Sequence, residues 1–279
     1  MIDIIVPVYN GYEETKECID SLLQCQNNIP HGFIIINDKS PNPKITELLN
    51  QIEDDRVRVI TNEHNLGFVK TVNKGMRSTN NDVILLNSDT IVTNYWIDKL
   101  YNAAQSDKKV GSVTALTNNG TIASVPYFNQ DNKLPDGYTV EQFSNLIEKV
   151  SERLYPTIPT AVGHAMYIKR EVIDTVGFFD EETFGMGYGE ENDFSCRLIK
   201  KGFRNILADD TFIYHFGSTS FKKEKAVLLE RNKKKLYRKH WWYPFNVKFF
   251  LYFDRKVKRV CERIQIEIKD STEKFGVGE

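Results

Sequence analysis

The stretch Ile2–Asn10, IDIIVPVYN, is an apolar and largely β-branched run of strand length that ends in a polar Asn-Gly step. A helical pattern follows at once. From Glu13 to about Gln24 the apolar residues Cys18, Ile19, Leu22 and Leu23 share one stripe. The same order repeats downstream: Phe33–Asn37 reads as a strand, Lys44–Ile52 as a helix, Val57–Thr61 as a strand, Leu66–Met76 as a helix and Asp82–Leu86 as a strand. Strands alternating with crossover helices build a parallel α/β sheet. Because these strands are unbroken apolar runs, helices are expected on both faces. The first hundred residues should therefore form a doubly wound, nucleotide-type half with its ligands at the C-terminal ends of the strands.

Beyond Val110 the pieces are shorter and the sheet is expected to turn mixed. Val110–Ala115 and Thr121–Pro126 look strand-like, a polar loop runs from Asn129 to Gly137, a helix from about Val140 to Leu154, and a strand near Ala161–Ile168. Glu190–Lys201 reads as a helix closed by Gly202, with short strands at Phe203–Leu207 and Phe212–Tyr214. The whole is 279 residues with 27% charged and 41% hydrophobic side chains, enough for a large buried core. No run approaches the roughly 20 apolar residues of a membrane span, and the first residues lack a basic segment ahead of a long apolar one. A cytoplasmic protein is the expectation. Cys18, Cys25, Cys196 and Cys261 are far apart with no CxxC among them, which favours reduced thiols.

The net charge of −1 conceals an asymmetry: residues 222–279 carry 17 Lys and Arg against 8 Asp and Glu, leaving 20 against 30 in residues 1–221. An acidic body excludes nucleic acid as the main partner. The chain divides on this evidence into a body, 1–220, and a basic, aromatic-rich helical extension, 221–279.

Three polar clusters close three apolar strands: Asn10-Gly11, Asn37-Asp38-Lys39-Ser40 and Asn87-Ser88-Asp89. Singly each would pass as a turn or helix cap; together they converge on one crevice. No GxGxxG follows the first strand and no GxxxxGK[ST] occurs, so dinucleotide and P-loop chemistry are excluded. Gly185–Gly189, GMGYG, lies among carboxylates that would repel phosphate and reads as a hinge.

Taken in order, IIVPVYN, the NDKS turn, Asn65-x-Gly67 with Asn73-x-Gly75, LLNSDT, Gly163-His164-Ala-Met before GFFDE, GEEND before FSCRLIKKGF, and Tyr214-His215 resemble a family-2 glycosyltransferase of the GT-A fold, over about residues 1–220. The resemblance implies a mostly parallel sheet turning mixed, and a metal-dependent, inverting transfer. It places Pro7, Tyr9 and Asn10 at the nucleobase, with Tyr9 offering a ring for stacking. Asp38 would accept the N3–H of uracil or thymine, which implies a UDP- or dTDP-sugar donor. Asn65, Gly67 and Asn73 would border ribose and phosphate, and Asn87 and Ser88 precede the cation ligand Asp89. His215 matches the family's ligand histidine, with Mn²⁺ or Mg²⁺ as the ion.

In GEEND the second acidic residue, Glu191, takes the place of the base that removes the acceptor hydroxyl's proton, while Glu190, Gly163, His164 and Asp193 fall at acceptor positions. The register between Glu190 and Glu191 stays open in the sequence. The LLNSDT form is closest to rhamnosyl-, galactosyl- and glucosyltransferase-like bacterial members, which implies one sugar per encounter and a surface polysaccharide or glycoprotein glycan as product. Two rivals stand beside it. A sugar-nucleotide pyrophosphorylase would need a Gly-rich, Arg-containing loop where this chain has Asn10-Gly-Tyr-Glu-Glu. A non-catalytic transferase-like module that binds nucleotide-sugar or glycan is suggested by Asn87 and Glu191 where aspartates are commoner.

The tail is read from physics alone. Nine lysines and arginines from Lys222 to Lys239, including Lys223 and Lys225, precede His240-Trp-Trp-Tyr-Pro-Phe245, an aromatic helix Val247–Phe253 and a charged helix to about Lys269. Three readings are open: an interfacial helix pair against anionic lipid at the inner face of the membrane, near a lipid-linked acceptor; aromatics packed against the body with the lysines solvated; or a homodimer contact.

Overall fold

The computed structural model describes residues 1–217 and 222–275. The boundary drawn at 220/221, and the side chains of Lys222, Lys223 and Lys225, lie outside the described residues. In chain order the elements are β1 (Ile2–Val8), α1 (Tyr12–Gln24), β2 (His31–Asn37), α2 (Pro43–Asn50), β3 (Val57–Thr61), α3 (Phe68–Arg77), β4 (Asp82–Leu86), β5 (Thr90–Ile91), α4 (Trp96–Gln105), β6 (Val110–Leu116) and α5 (Val140–Val150). They continue with β7 (Thr157–Ile158), β8 (Ala165–Ile168), α6 (Arg170–Val176), α7 (Glu181–Phe184), α8 (Glu190–Lys200), β9 (Arg204–Phe212), β10 (Tyr214–His215), α9 (Lys222–Lys239), α10 (Tyr243–Phe253) and α11 (Lys256–Phe275).

Among the described residues one eight-stranded sheet runs β3-β2-β1-β4-β8-β6-β9-β7, and β10 pairs with β5 in a two-stranded ribbon. The first four strands are parallel. β8 is antiparallel to both β4 and β6, so the sheet turns mixed where the sequence changes character. Each face carries a continuous apolar layer. One contains Val6, Ile19, Leu22, Trp96 and Leu100; the other contains Ile5, Val72, Met76, Phe184 and Phe194. A helix can lie this close only where side chains allow it: a Cβ on Gly75 would stand 2.6 Å from Ile5 Cγ2, so α3 meets β1 through a glycine.

Several parts depart from the reading of the sequence, including the unanticipated helix α6 and the helix expected to about Leu154, which ends at Val150. Thr121–Pro126, expected as strand-like, is a 3₁₀ turn at Thr121–Ala123 followed by extended chain. The strand expected at Phe203–Leu207 runs on as the nine-residue β9 through buried Asp209 and Asp210 to Phe212, and Tyr214, expected in one strand with Phe212, opens β10. Those carboxylates are absorbed by the 151–155 turn. Asp209 accepts from the amide of Tyr155 and the hydroxyl of Ser151, and Asp210 accepts from Arg153 and the Tyr155 hydroxyl. The helix α4 was not anticipated; its start at left-handed Tyr95 has no capping side chain.

The C-terminal helices pack on the rest of the protein. Leu236 and Tyr243 join one apolar layer, and Phe250, Val257, Val260, Cys261 and Ile264 enter a third cluster with Phe143 and Phe212. All four cysteines are free, and no helix among the described residues is long and apolar enough to cross a membrane.

Candidate active site

The strand ends of β1, β2 and β4 open into a cleft of about 390 Å³. Its wall includes Pro7, Tyr9, Asn10, Asp38, Asn65, Gly67, Asn87, Ser88 and Asp89, nine of the residues expected at a donor and its metal. Tyr9 is half exposed and presents its ring. Asn10 (φ 61°) and Gly11 (φ 66°) turn left-handed to start α1. Asp38 is buried and organises the floor: Oδ1 accepts from the Leu66 amide at 2.7 Å and from Asn62 at 2.8 Å, and Oδ2 accepts from the Gly67 amide at 2.9 Å. Its Oδ2 keeps capacity for a further donor. Gly67 sits at φ +79°, the left-handed region that favours glycine, and it lets the chain pass close against Met186.

Beside Asp89, β10 delivers His215. The antiparallel pairing of His215 with Thr90 and of Tyr214 with Ile91 sets the imidazole beside Asp89, with Nε2 3.2 Å from Oδ1. Asn118 clasps the backbone of His215 on both sides, accepting from its amide at 2.8 Å and donating to its carbonyl at 3.0 Å. Nδ1 lies 2.8 Å from the carbonyl oxygen of Asn119, which can only accept, so this nitrogen carries the proton. Nε2 is thereby turned toward the Asp89 carboxylate. Two such atoms this close need positive charge between them, a proton or a cation. The pair fits a divalent ion bound by one imidazole and one carboxylate, the rest of its shell coming from a diphosphate and water. No group of three or more His, Cys, Asp or Glu that could hold an ion by itself occurs among the described residues.

The first turn of α8 supplies the carboxylates. Burial, and then the neighbouring charge of Glu191, hold the Glu190 carboxyl well above the usual range. Burial raises Glu191 as well, opposed by amide donors at the helix start, among them Gly189 N at 3.3 Å from Oε2. Glu190 is buried, while Glu191 is only half-buried. Tyr188, another wall residue, is raised by burial and then by the charges of Glu190, Glu191 and Asp89, which places its ring within electrostatic reach of all three.

The expected acceptor set is not assembled at this cleft. Glu190 is packed away. Asp193 is fully buried and binds Arg197 Nε at 2.7 Å and both Lys239 Nζ and His240 Nε2 at 2.8 Å. Burial would raise its carboxyl, but these partners outweigh burial and lower it. His164 is buried behind His215, the rings stacked at 5.9 Å, and burial and then the His215 charge hold it neutral. Gly163 is not on the wall; what this segment gives the site is the His164 carbonyl, which accepts from the Asn87 amide at 2.9 Å.

Among the donor residues Asn73 is also misplaced by the sequence reading. Its carboxamide is buried, exchanging hydrogen bonds with the backbone of Phe179 at 2.9 and 3.0 Å and donating to Glu181. Met186 and Tyr188 were missed because GMGYG read as a hinge. Here it is a held turn: the Asn232 carboxamide of α9 donates to the carbonyls of Phe184, Gly187 and Tyr188 at 2.8 to 3.2 Å.

The model of Glycosyl transferase family 2 matches residues 3–177. The O-antigen biosynthesis protein RfbC of Myxococcus xanthus is 26% identical over 236 residues, 78% of this chain but only 17% of that protein. An uncharacterized protein of Mycobacterium tuberculosis, Rv1525, is 26% identical over 77% of this chain and 73% of its own length. Glycosyltransferase GlyG of Streptococcus pneumoniae is 30% identical over 38% of this chain and 35% of its own. Two solved structures share the fold at low identity. The mannosyltransferase PcManGT from Pyrobaculum calidifontis in complex with GDP-Man and Mn²⁺ has a TM-score of 0.61 at 15% identity, covering 100% of this chain and 76% of that one. GalNAc-T7 with UDP, GalNAc and Mn²⁺ has a TM-score of 0.60 at 16%, covering 97% and 57%. With more than half of its length matched by the family model, on a GT-A architecture with the cleft at the strand ends, the chain belongs to glycosyl transferase family 2.

Proposed function

We propose that this protein transfers one sugar per encounter, with inversion, from a UDP- or dTDP-sugar to a hydroxyl of a glycan or lipid-linked glycan in bacterial surface-polysaccharide or glycoprotein-glycan assembly. The observation that carries this reading is the cleft lined by Tyr9, Asp38 and Asp89, with His215 paired to Asp89 behind the wall and the raised carboxyls of α8 within electrostatic reach of its Tyr188. Tyr9 stacks on the pyrimidine and the remaining capacity of Asp38 Oδ2 accepts its N3–H. Asn65 and Gly67 border the ribose and phosphates. Asp89 and His215 hold Mn²⁺ or Mg²⁺, which when bound offsets the negative charge of the departing diphosphate. The neighbours solved with Mn²⁺ support a divalent ion, and the relative named for O-antigen biosynthesis supports a surface glycan.

Glu191 removes the proton from the attacking hydroxyl. It is the more accessible of the two glutamates, and its elevated carboxyl makes it a stronger base than an ordinary glutamate. Glu190, deeper and raised further, retains its proton and keeps a second negative charge away from the reacting oxygen. The catalytic unit is residues 1–220, and the helices after it brace the α8 side of the cleft. A cytoplasmic enzyme acting at the inner membrane face fits this reading.

The test is release of nucleotide from a panel of UDP- and dTDP-sugars by the purified protein, with Mn²⁺ and with EDTA, alongside Asp89→Ala and Glu191→Gln. Metal-dependent turnover of one donor that is lost in Asp89→Ala, together with nucleotide binding but no turnover in Glu191→Gln, is the expected result. If no donor is consumed and no nucleotide binds with Mn²⁺, the enzyme reading falls and the non-catalytic module replaces it.

A further inference from the structure

α10 divides its aromatic residues between two faces. Tyr243 and Phe250 are buried and Val247 packs inward, holding the helix to the body. Trp241, just ahead of the helix, and Phe245, Phe249, Tyr252 and Phe253 are each 65 to 77% exposed. At 100° per residue the four helical positions fall within one arc of about 100°, and Lys248 lies at the edge of that arc. The patch is continuous: the Phe249 and Phe253 rings stand 4.9 Å apart, and the same two rings border an apolar groove of about 330 Å³ against Ile158, Pro159, Ile199 and Phe203. Packing against the body, the second reading offered by the sequence, therefore accounts for only Trp242, Tyr243 and Phe250 among these aromatics.

The charge around the patch selects its occupant. From Trp241 to Val260 the chain carries Lys248, Arg255, Lys256, Lys258 and Arg259 against Asp254 alone. Lys248, Arg255, Lys256 and Arg259 are exposed. A two-fold contact with a second copy would press this basic rim against itself. An anionic bilayer surface meets both halves of the pattern, with apolar rings seated at the level of the headgroups and cations beside lipid phosphates. We infer that α10 is a membrane-surface helix that docks the enzyme on anionic lipid through Trp241, Phe245, Phe249, Tyr252 and Phe253, flanked by Lys248, Arg255 and Lys256.

The full-length protein is sedimented with vesicles of equal parts phosphatidylglycerol and phosphatidylcholine, and with vesicles of phosphatidylcholine alone, at physiological salt. The first pellets the protein at least about tenfold more strongly. Phe245→Ser/Phe249→Ser/Phe253→Ser abolishes pelleting, and Lys248→Glu/Lys256→Glu weakens it by about tenfold or more, both with the melting temperature and donor hydrolysis of the parent. Because the aromatic variant alters a large surface, the unaltered protein supplies a second reading: brominated anionic lipid quenches emission that disappears in Trp241→Phe. Absence of pelleting with either vesicle, equal pelleting with both, or undiminished binding by the aromatic variant overturns the inference. A concentration-dependent dimer that is lost in the aromatic variant assigns the face to a second copy.

Discussion

In the proposed reaction two adjacent glutamates at one helix start divide the work because burial treats them differently. A base must be deprotonated to act, so kcat/KM falls as pH drops through its pKa. With Glu191 raised, that acid limb lies above the ordinary glutamate value of about 4.3. Glu190→Gln imitates the protonated neighbour and keeps most of kcat/KM, whereas Glu191→Gln loses roughly 10²- to 10⁴-fold. A pH–rate profile of both variants checks the assignment, and an inactive Glu190→Gln with an active Glu191→Gln would reverse it. The sequence offered GEEND as a carboxylate source but not the division of roles, which depends on depth. Asp38 and Asp89 were legible because each closes an apolar strand and strand ends converge. Asn73 and His164 were not, since nothing in their local sequence tells that their side chains turn away from the cleft.

At the scale of elements, α8 is held from behind. Asp193 gathers Arg197, Lys239 and His240, and Asn192 accepts from the Tyr243 hydroxyl, so α8 is tied to the end of α9 and the start of α10. Asp193→Asn strands the Arg197 and Lys239 cations, leaves His240 without its carboxylate acceptor, and costs about 3 kcal/mol in urea unfolding at neutral pH. The sign follows from its lowered carboxyl: the stability it contributes is present above the unfolded value of about 3.9 and is lost as pH falls through the lower folded value. Parent and variant therefore converge in stability only in strong acid, and a difference that vanished already at pH 6 would exclude the ion pairs as its source. The sequence let Asp193 pass for an acceptor ligand because two of its three partners, Lys239 and His240, lie 46 and 47 residues away at the end of α9 and beyond it. The parallel half was legible for the opposite reason, each strand being followed by its own crossover helix. β9 was obscured by Asp209-Asp210, a pair that reads as a turn until a separate segment is seen to neutralise it.

At the scale of the molecule, the cleft joins strand ends from the first hundred residues to a ribbon and a turn from the region after Gly185. A nucleotide and cation bound between them favour the folded state: at 100 times its dissociation constant a ligand adds about 2.7 kcal/mol. Thermal melts with UDP and Mn²⁺ together should show a rise that EDTA reverses and that Asp89→Ala lacks; equal rises in parent and Asp89→Ala would remove Asp89 from the cation. The family pattern ends at residue 177, yet the α8 carboxylates, His215 and the helices that brace them all come after it. Relatives that share the front half can thus differ in these rear parts, and the braces seen here set a rule for exchanging them. A chimera carrying a foreign rear helix would leave Asp193 with Arg197 alone and three carbonyls of the Phe184–Tyr188 turn without the amide of Asn232. The transplantable piece is the block from Asp180 through Tyr243, moved whole, because the turn on the cleft wall and its brace are two sides of a single graft.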